Sequence, residues 1–371
     1  QAQALAAADL GERRAPAGPP HRTPAERGLT TLEKPAIPDA QIIACLRDEY
    51  GLPIAQLAFL PLGADVNSAV YRAVAEDGAA YFSKLRRGAF DELAVALPRF
   101  YADQGIAAII PPLATLGGRL WAELGEHAVI LYHFVEGRNA YETRLAERHL
   151  RELGAALRRI HAAAVPEALL RRLPRETYSP EWREMVKSFL RQAEGGDPAD
   201  PVARRVAALL RAERPRIADL VGRAERLALA LRARGLPLIA CHTDLHAGNL
   251  LIAGDGLHIV DWDAPLLAPK ERDLMFPGAG LLGGWHGPEE EEALFYAGYG
   301  AAPVDPVALA YYRYERIVVD IAEFGKQLLL SDQGGEDRER SLGFLASYFR
   351  PGSPLEIAYQ AEGRGRKTQS H

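Results

Sequence analysis

The chain is expected to be an α+β protein of two lobes, a small β-rich lobe followed by a larger, mostly helical one. Three observations point there. Short runs of alternating apolar and polar residues, separated by turn signals, gather before residue 135. Beyond that point the apolar residues recur at helical period, as at Leu150, Leu153, Leu157 and Ile160. At 371 residues the chain is long enough for two such lobes, and its apolar content supports a sizeable core.

In chain order, residues 1–36 carry "PAGPPHRTPAERG", too rich in Pro and polar residues for a helix or a strand ladder, and are expected to be a disordered tail without a signal-type apolar core. Residues 37–135 are expected to form the β-rich lobe. It opens with a helix, "PDAQIIACLRDEYG", closed by Gly51. The runs "QLAFLPLG", "NSAVYRAVAEDG" and "AAYFSKLRRG" read as strands, the last two joined by the Glu76-Asp77-Gly78 turn. A helix follows in "FDELAVALPRFYADQG", with Pro98 expected to kink or interrupt it. "HAVILYHFVEG" reads as a buried strand that breaks at Glu136-Gly137.

Residues 136–355 are expected to form the helical lobe. Its stretch 165–235 is Ala- and Arg-rich, broken by Pro174, Pro180 and Pro215, and suits a lid or a substrate-side insertion. A short strand at 238–240 leads into a polar loop. A hairpin then pairs "NLLIA" with "LHIVDW" across Gly254-Asp255-Gly256. Helices finish the chain, notably 305–330, and residues 356–371 are expected to be a tail.

Composition narrows the function classes. A net charge of −5 leaves no footprint for nucleic acid and suits a cationic small substrate. Two cysteines, Cys45 and Cys241, do not make a disulfide framework, so a cytoplasmic setting is expected. No apolar run reaches membrane-spanning length, and nothing implies a protein partner.

The polar loop "CHTDLHAGN" is the densest cluster of reactive groups. Zinc would need His242 and His246 on one helix face, and Gly248 between strand-like runs opposes that. Nucleophilic catalysis lacks a G-x-S-x-G elbow, and no base is ordered against Cys241. Phosphoryl transfer fits better. It needs a carboxylate for the acceptor hydroxyl and hard oxygen ligands for magnesium. Asp244 and Asn249 stand five apart, Asp261 ends the apolar run "LHIVD", and the hairpin would fold Asp261 back beside Asn249. Lys84 shares a strand face with Phe82 and can point at bound phosphates, with Glu92 (or Asp91) as its expected partner. A solvated polar loop accounts for any one of these residues, but not for the whole set in this order.

With "HTDLHAGN" and "IVDWD" the sequence resembles the aminoglycoside phosphotransferase family, of protein-kinase-like fold. "DWDAPLLAPKERDLMF" and "LYHFVEGRN" resemble its spectinomycin phosphotransferase branch. The resemblance spans about residues 39–360. It implies an ATP- and Mg2+-dependent phosphotransferase acting on a hydroxylated, cationic small molecule. It also implies roles: Asp244 as catalytic carboxylate, Asn249 and Asp261 as magnesium ligands, Lys84 on the phosphates, and the backbone at His133 and Val135 on the adenine edge. His242 and Asp273 would brace the loop. The phosphate-covering turn departs from the kinase pattern, with Gly63 alone and with Asn67 and Ser68 in place of further glycines; no A-P-E segment follows "DWD". Asp263, Asp320 and Glu323 are candidates for acceptor ammonium groups, against plain exposed helix for the last two. Trp262 and Trp285 are stacking or core residues, and Glu289–Glu292 after Pro288 suits a first helical turn. A metabolic kinase of choline, homoserine or sugar type, and a non-catalytic nucleotide-binding module, remain as alternatives.

Overall fold

The computed structural model describes residues 34–61, 67–331 and 335–368. The first helix, α1 (Asp39–Tyr50), stops where Gly51 turns left-handed at φ 69° and its N–H closes onto Arg47 O. An antiparallel sheet of five strands comes next: β1 (Ile54–Leu60), β2 (Ser68–Ala75), β3 (Ala80–Arg87), β4 (Ala122–Leu124) and β5 (His127–His133), in the order β1-β2-β3-β5-β4. Strand alternation sorts β3 into two faces. Tyr81, Ser83 and Leu85 are buried under α1 with Tyr71, Val129 and Leu131, while Phe82, Lys84 and Arg86 look the other way, as expected for Lys84. Between β3 and β4 lies α2 (Leu93–Asp103), which runs through Pro98 without a break and packs Leu93, Leu97 and Tyr101 with residues of the helical region. The apolar face it buries (Leu93, Val95, Leu97, Tyr101) outweighs the hydrogen bond that Pro98 removes.

After β5 the chain is mostly helical. Its elements are β6 (Arg138–Asn139), α3 (Glu147–Ala162), α4 (Glu167–Leu170), α5 (Glu181–Glu194), α6 (Pro201–Ala212), α7 (Arg214–Arg232), β7 (Ile239–Cys241), β8 (Leu250–Ala253), β9 (Gly256–Ile259), β10 (Leu266–Ala268), α8 (Glu271–Leu274), α9 (Pro288–Tyr299), α10 (Pro306–Leu329), α11 (Gly335–Ser347) and α12 (Pro354–Thr368). The periodic leucines of α3 are buried as expected. α3 and α9 touch backbone to backbone: a Cβ at Gly154 would strike Phe295 O, and one at Gly298 would strike Arg151 O. The long helix α10 starts on Asp305, whose Oδ1 accepts from the N–H groups of Val307 and Ala308 (both 3.0 Å). Its residues Tyr314, Ile317, Val318 and Ile321 form a core with apolar residues of α5, α6, α7, α11 and α12.

Several expectations need correction. The 165–235 stretch is not a free lid: α5, α6 and α7 are part of the core around α10. Pro174 and Pro180 do separate helices, but Pro215 sits in the first turn of α7, where its missing N–H costs nothing. The hairpin turn has two residues, since Ala253 pairs with Gly256 and Gly254 takes φ 56°. The tail expected from 356 is a helix, because Leu355, Ile357 and Ala358 are buried and Glu362 accepts from Arg223 and Tyr314 (both 2.6 Å). Of the tail expected at 1–36, residues 1–33 lie outside the described residues, as does Gly63. Among the described residues, no helix is long and apolar enough to cross a membrane.

Candidate active site

The loop between β7 and β8 is held by segments later in the chain. β10 pairs back onto β7, and the buried Asp273 of α8 accepts from the N–H of His242 (3.0 Å) and of Thr243 (2.7 Å). These bonds stabilise a strained segment. Thr243 has φ 78° and Asp261 φ 66°, conformations that cost a side-chain-bearing residue on the order of 1–3 kcal/mol each. Thr243 Oγ1 adds a bond to Ala264 O (3.0 Å). Burial opposes charge on Asp273, but the His161 ring (3.1 Å) and the loop N–H groups prevail and hold its carboxyl below the usual range. His161 in turn meets the Tyr299 hydroxyl (2.9 Å). Cys241 lies beside His161 and Asp273, and its Sγ contacts Ala268 O and Pro269 O (3.6 and 3.7 Å). With both ring nitrogens of His161 and both oxygens of Asp273 already engaged, the trio reads as a brace.

His242 is buried within the loop. Its Nδ1 accepts from Asp244 N (3.3 Å), which assigns the proton to Nε2, and Nε2 donates to Val260 O (3.0 Å). Val260 N–H donates to Asn249 O (3.0 Å), so the β8–β9 hairpin does return Asp261 to the neighbourhood of Asn249. Asn249 turns its amide nitrogen to Asp244, reaching the backbone oxygen at 2.8 Å and Oδ2 at 3.2 Å. Its carbonyl oxygen is the end left for a cation. His246 accepts from Gly248 N (3.0 Å), places Nε2 3.4 Å from Asp244 Oδ2 and stacks on Tyr141.

Two cationic partners were not anticipated. Arg316 of α10 donates from Nη1 to Asp244 Oδ1 at 2.5 Å. Burial opposes charge on Asp244, but His246 and Arg316 pull its carboxyl well below the usual carboxylate range. On β3, Lys84 Nζ donates to Asp261 Oδ1 (3.0 Å) and Asp263 Oδ2 (2.7 Å), and Arg86 reaches Asp263 Oδ2 at 2.5 Å. Burial would depress the Lys84 ammonium, but the two carboxylates outweigh it and raise its affinity for the proton.

This geometry corrects three expected roles. Glu92 does not pair with Lys84. It precedes α2, and its side chain receives Trp121 Nε1 and Arg172 (both 3.3 Å), while Asp91 Oδ1 accepts from Leu93 N and lies 3.8 Å from Arg172. The helical turns of α2 carry no acid before Asp103, so Asp261 and Asp263 take the lysine. Asp263 is not free for an acceptor, being spent on Lys84 and Arg86. Asp320 is buried and bound to Arg316 (3.1 Å from each of two nitrogens) and to the Tyr348 hydroxyl; Glu323, one turn on, is exposed. Trp262 is core, packed edge-on against His242 with ring centroids 4.5 Å apart. His133 is exposed at the end of β5, stacked on Tyr81, and Val135 follows in the connection to the helical region. Asn67 and Ser68 lie at the start of β2, where Asn67 O accepts from Arg87 N (2.8 Å).

Signals for the unanticipated residues were weak but present. Arg316 and Asp320 have i, i+4 spacing, and Arg86 shares the alternating face of Lys84. His161 ends a helix like many others.

A five-stranded antiparallel sheet set against a helical region, with a strand lysine meeting a carboxylate beside an Asp–Asn loop, defines a phosphotransferase of protein-kinase-like fold. The chain belongs to the phosphotransferase enzyme family, whose pattern matches residues 58–313. It is 37% identical to spectinomycin phosphotransferase APH(9)-Ia solved with ADP and spectinomycin, over 88% of this chain and 99% of that one, with a TM-score of 0.81. To the AMP-bound complex of that enzyme it is 36% identical, over 86% and 98%, with a TM-score of 0.76. Protein StrN of Streptomyces griseus is 25% identical over 252 residues, 67% of this chain and 73% of that protein. An aminoglycoside phosphotransferase from Alicyclobacillus acidocaldarius, 17% identical with a TM-score of 0.60 over 91% and 98%, shares the fold. The chain is an ATP-dependent phosphotransferase acting on a hydroxyl group.

Proposed function

We propose that this protein moves the γ-phosphate of ATP to a hydroxyl of a cationic aminocyclitol of spectinomycin type, in the cytoplasm, and so confers resistance to such an antibiotic. One observation carries the reading: Asp244, bound to Asn249, stands in the loop whose hairpin brings Asp261 to Lys84. The likeness to a spectinomycin phosphotransferase over most of both chains supports the choice of acceptor.

Asp244 accepts a hydrogen bond from the acceptor hydroxyl, aligns its oxygen with the γ-phosphorus and receives its proton as transfer completes. Lys84 exchanges one of its carboxylates for the nucleotide phosphates. The Asn249 carbonyl and the Asp261 carboxylate are hard oxygen donors that suit Mg2+, which would neutralise phosphate charge when bound. The backbone at His133 and Val135 reads the adenine edge. Asn67 and Ser68, with Gly63 before them in the sequence, donate to the phosphates. His242 and Asp273 keep the loop in its strained shape. Glu323 is the exposed acid on α10 for an acceptor ammonium group.

A phosphorylation panel tests the proposal: ATP with spectinomycin, other aminoglycosides, choline, homoserine and simple sugars, product identified by mass. Mg2+-dependent phosphospectinomycin is expected. Turnover confined to choline, homoserine or a sugar would replace the acceptor class.

A further inference from the structure

Arg316 takes no part in the mechanism above, yet it makes the shortest contact that Asp244 has with a cation. It sits on α10, one turn before Asp320. The Asp320 carboxylate grips it as a fork, Nε to Oδ2 and Nη2 to Oδ1 at 3.1 Å each. The remaining Nη1 reaches Asp244 Oδ1 at 2.5 Å. Asp320 is anchored a second time by the hydroxyl of Tyr348, just beyond α11, and burial keeps that phenol protonated and donating. The guanidinium is thus built in, since a planar donor fork fixed on one side has little freedom on the other.

The effect falls on the carboxylate of Asp244. Its Oδ2 faces Asn249 Nδ2 (3.2 Å) and His246 Nε2 (3.4 Å), and its Oδ1 faces Arg316. Held from both sides, the carboxylate cannot swing about its terminal torsion. Without Arg316, Asp244 and the buried Asp320 would confront each other as like charges with no cation between them.

We infer that Arg316 is a positioning residue for phosphoryl transfer: anchored on Asp320 and Tyr348, its guanidinium fixes the orientation and charge of the Asp244 carboxylate before the acceptor arrives. This rests on the role proposed for Asp244. It also makes Asp320 a holder of the catalytic loop and removes it from the acceptor site.

The test compares wild type with Arg316→Met, Arg316→Lys and the double variant Arg316→Met/Asp320→Asn, varying ATP and spectinomycin separately. Arg316→Met is expected to lower kcat by about 100-fold, the scale of a misplaced reacting group. The KM for ATP should stay within about twofold, because nucleotide contacts are untouched. Arg316→Lys should recover about tenfold of the loss, since it restores the charge without the fork. The double variant removes both buried charges and so keeps the fold if Arg316→Met alone does not; its kcat is expected to stay as low as that of Arg316→Met. A kcat within about twofold of wild type in the double variant overturns the inference, as does a fall in kcat that Arg316→Lys leaves unchanged. A wild type that phosphorylates no member of the panel overturns the proposed function, and the inference with it.

Discussion

The protein contains two ion clusters around one loop, and they are built differently. Lys84 and Arg86 of β3 meet Asp261 and Asp263 of the segment after β9, 177 residues away along the chain in the Lys84–Asp261 pair, and Asp261 remains 45% exposed. Arg316, Asp244, Asp320 and Tyr348 meet inside the helical region, where Asp320 is only 9% exposed and is itself anchored. Lys84 and Arg316 are both mostly buried, so the contrast lies in their anions: Asp261 keeps nearly half of its side chain exposed, whereas Asp320 is buried and held a second time by Tyr348, and breaking a buried pair leaves a charge without compensation. The first cluster therefore suits groups that change partners when nucleotide enters, and the second suits groups that stay in place.

The largest effect is expected at Asp244, in the second cluster. Asp244→Ala should lower kcat by about 10³- to 10⁴-fold while ATP still binds, the scale of a lost general base. Calorimetric titration with ATP, run beside the rate measurement, checks both halves. Near-wild-type turnover would remove Asp244 from the chemistry and the comparison with it. Lys84→Met should act the opposite way to Arg316→Met. With a phosphate contact gone, KM for ATP rises and kcat/KM for ATP falls by about 100-fold. Should Lys84→Met lower kcat alone, with ATP KM unmoved, the two clusters would not divide nucleotide from acceptor as stated.

The smallest effect concerns stability and serves as a control away from both clusters. Glu291 is buried in α9, where its Oε1 accepts from Gly278 N (2.8 Å), and burial pushes its carboxyl from 4.5 up to about 7. Between those values the folded chain keeps a proton that the unfolded chain has released. Stability therefore falls as pH rises through this window, by at most about 3 kcal/mol. Glu291→Gln should flatten that fall, read as melting temperatures at pH 5, 6.5 and 8, and leave kcat at pH 8 unchanged. A constant offset between variant and wild type at all three pH values would contradict the assignment.

Much of the site was legible because its parts lie close together in the chain. His242, Asp244 and Asn249 occupy one loop, and a hairpin turn at Gly254 sufficed to predict that Asp261 returns to Asn249. Lys84 was legible through the two-residue period of β3. The partner of Lys84 was not. An acid on the next helix is near in sequence, but Glu92 faces outward, and only the packed lobes show Asp261 and Asp263 to be the nearer anions. Helix α12 was missed because its few apolar residues are followed at once by charged ones, and burial against the α10 core gives them their meaning.

By itself, the sequence determined the β-then-α order, the hairpin that returns Asp261 toward Asn249 and the faces of β3 and α3, since periodicity and turn residues act over a few positions. The tertiary structure alone decided which charges meet. Arg316 and Asp244 lie 72 residues apart, and no local pattern encodes a contact made only when α10 packs behind the loop. Electrostatic partners follow distance in space, and over such separations distance in space is set by the whole core.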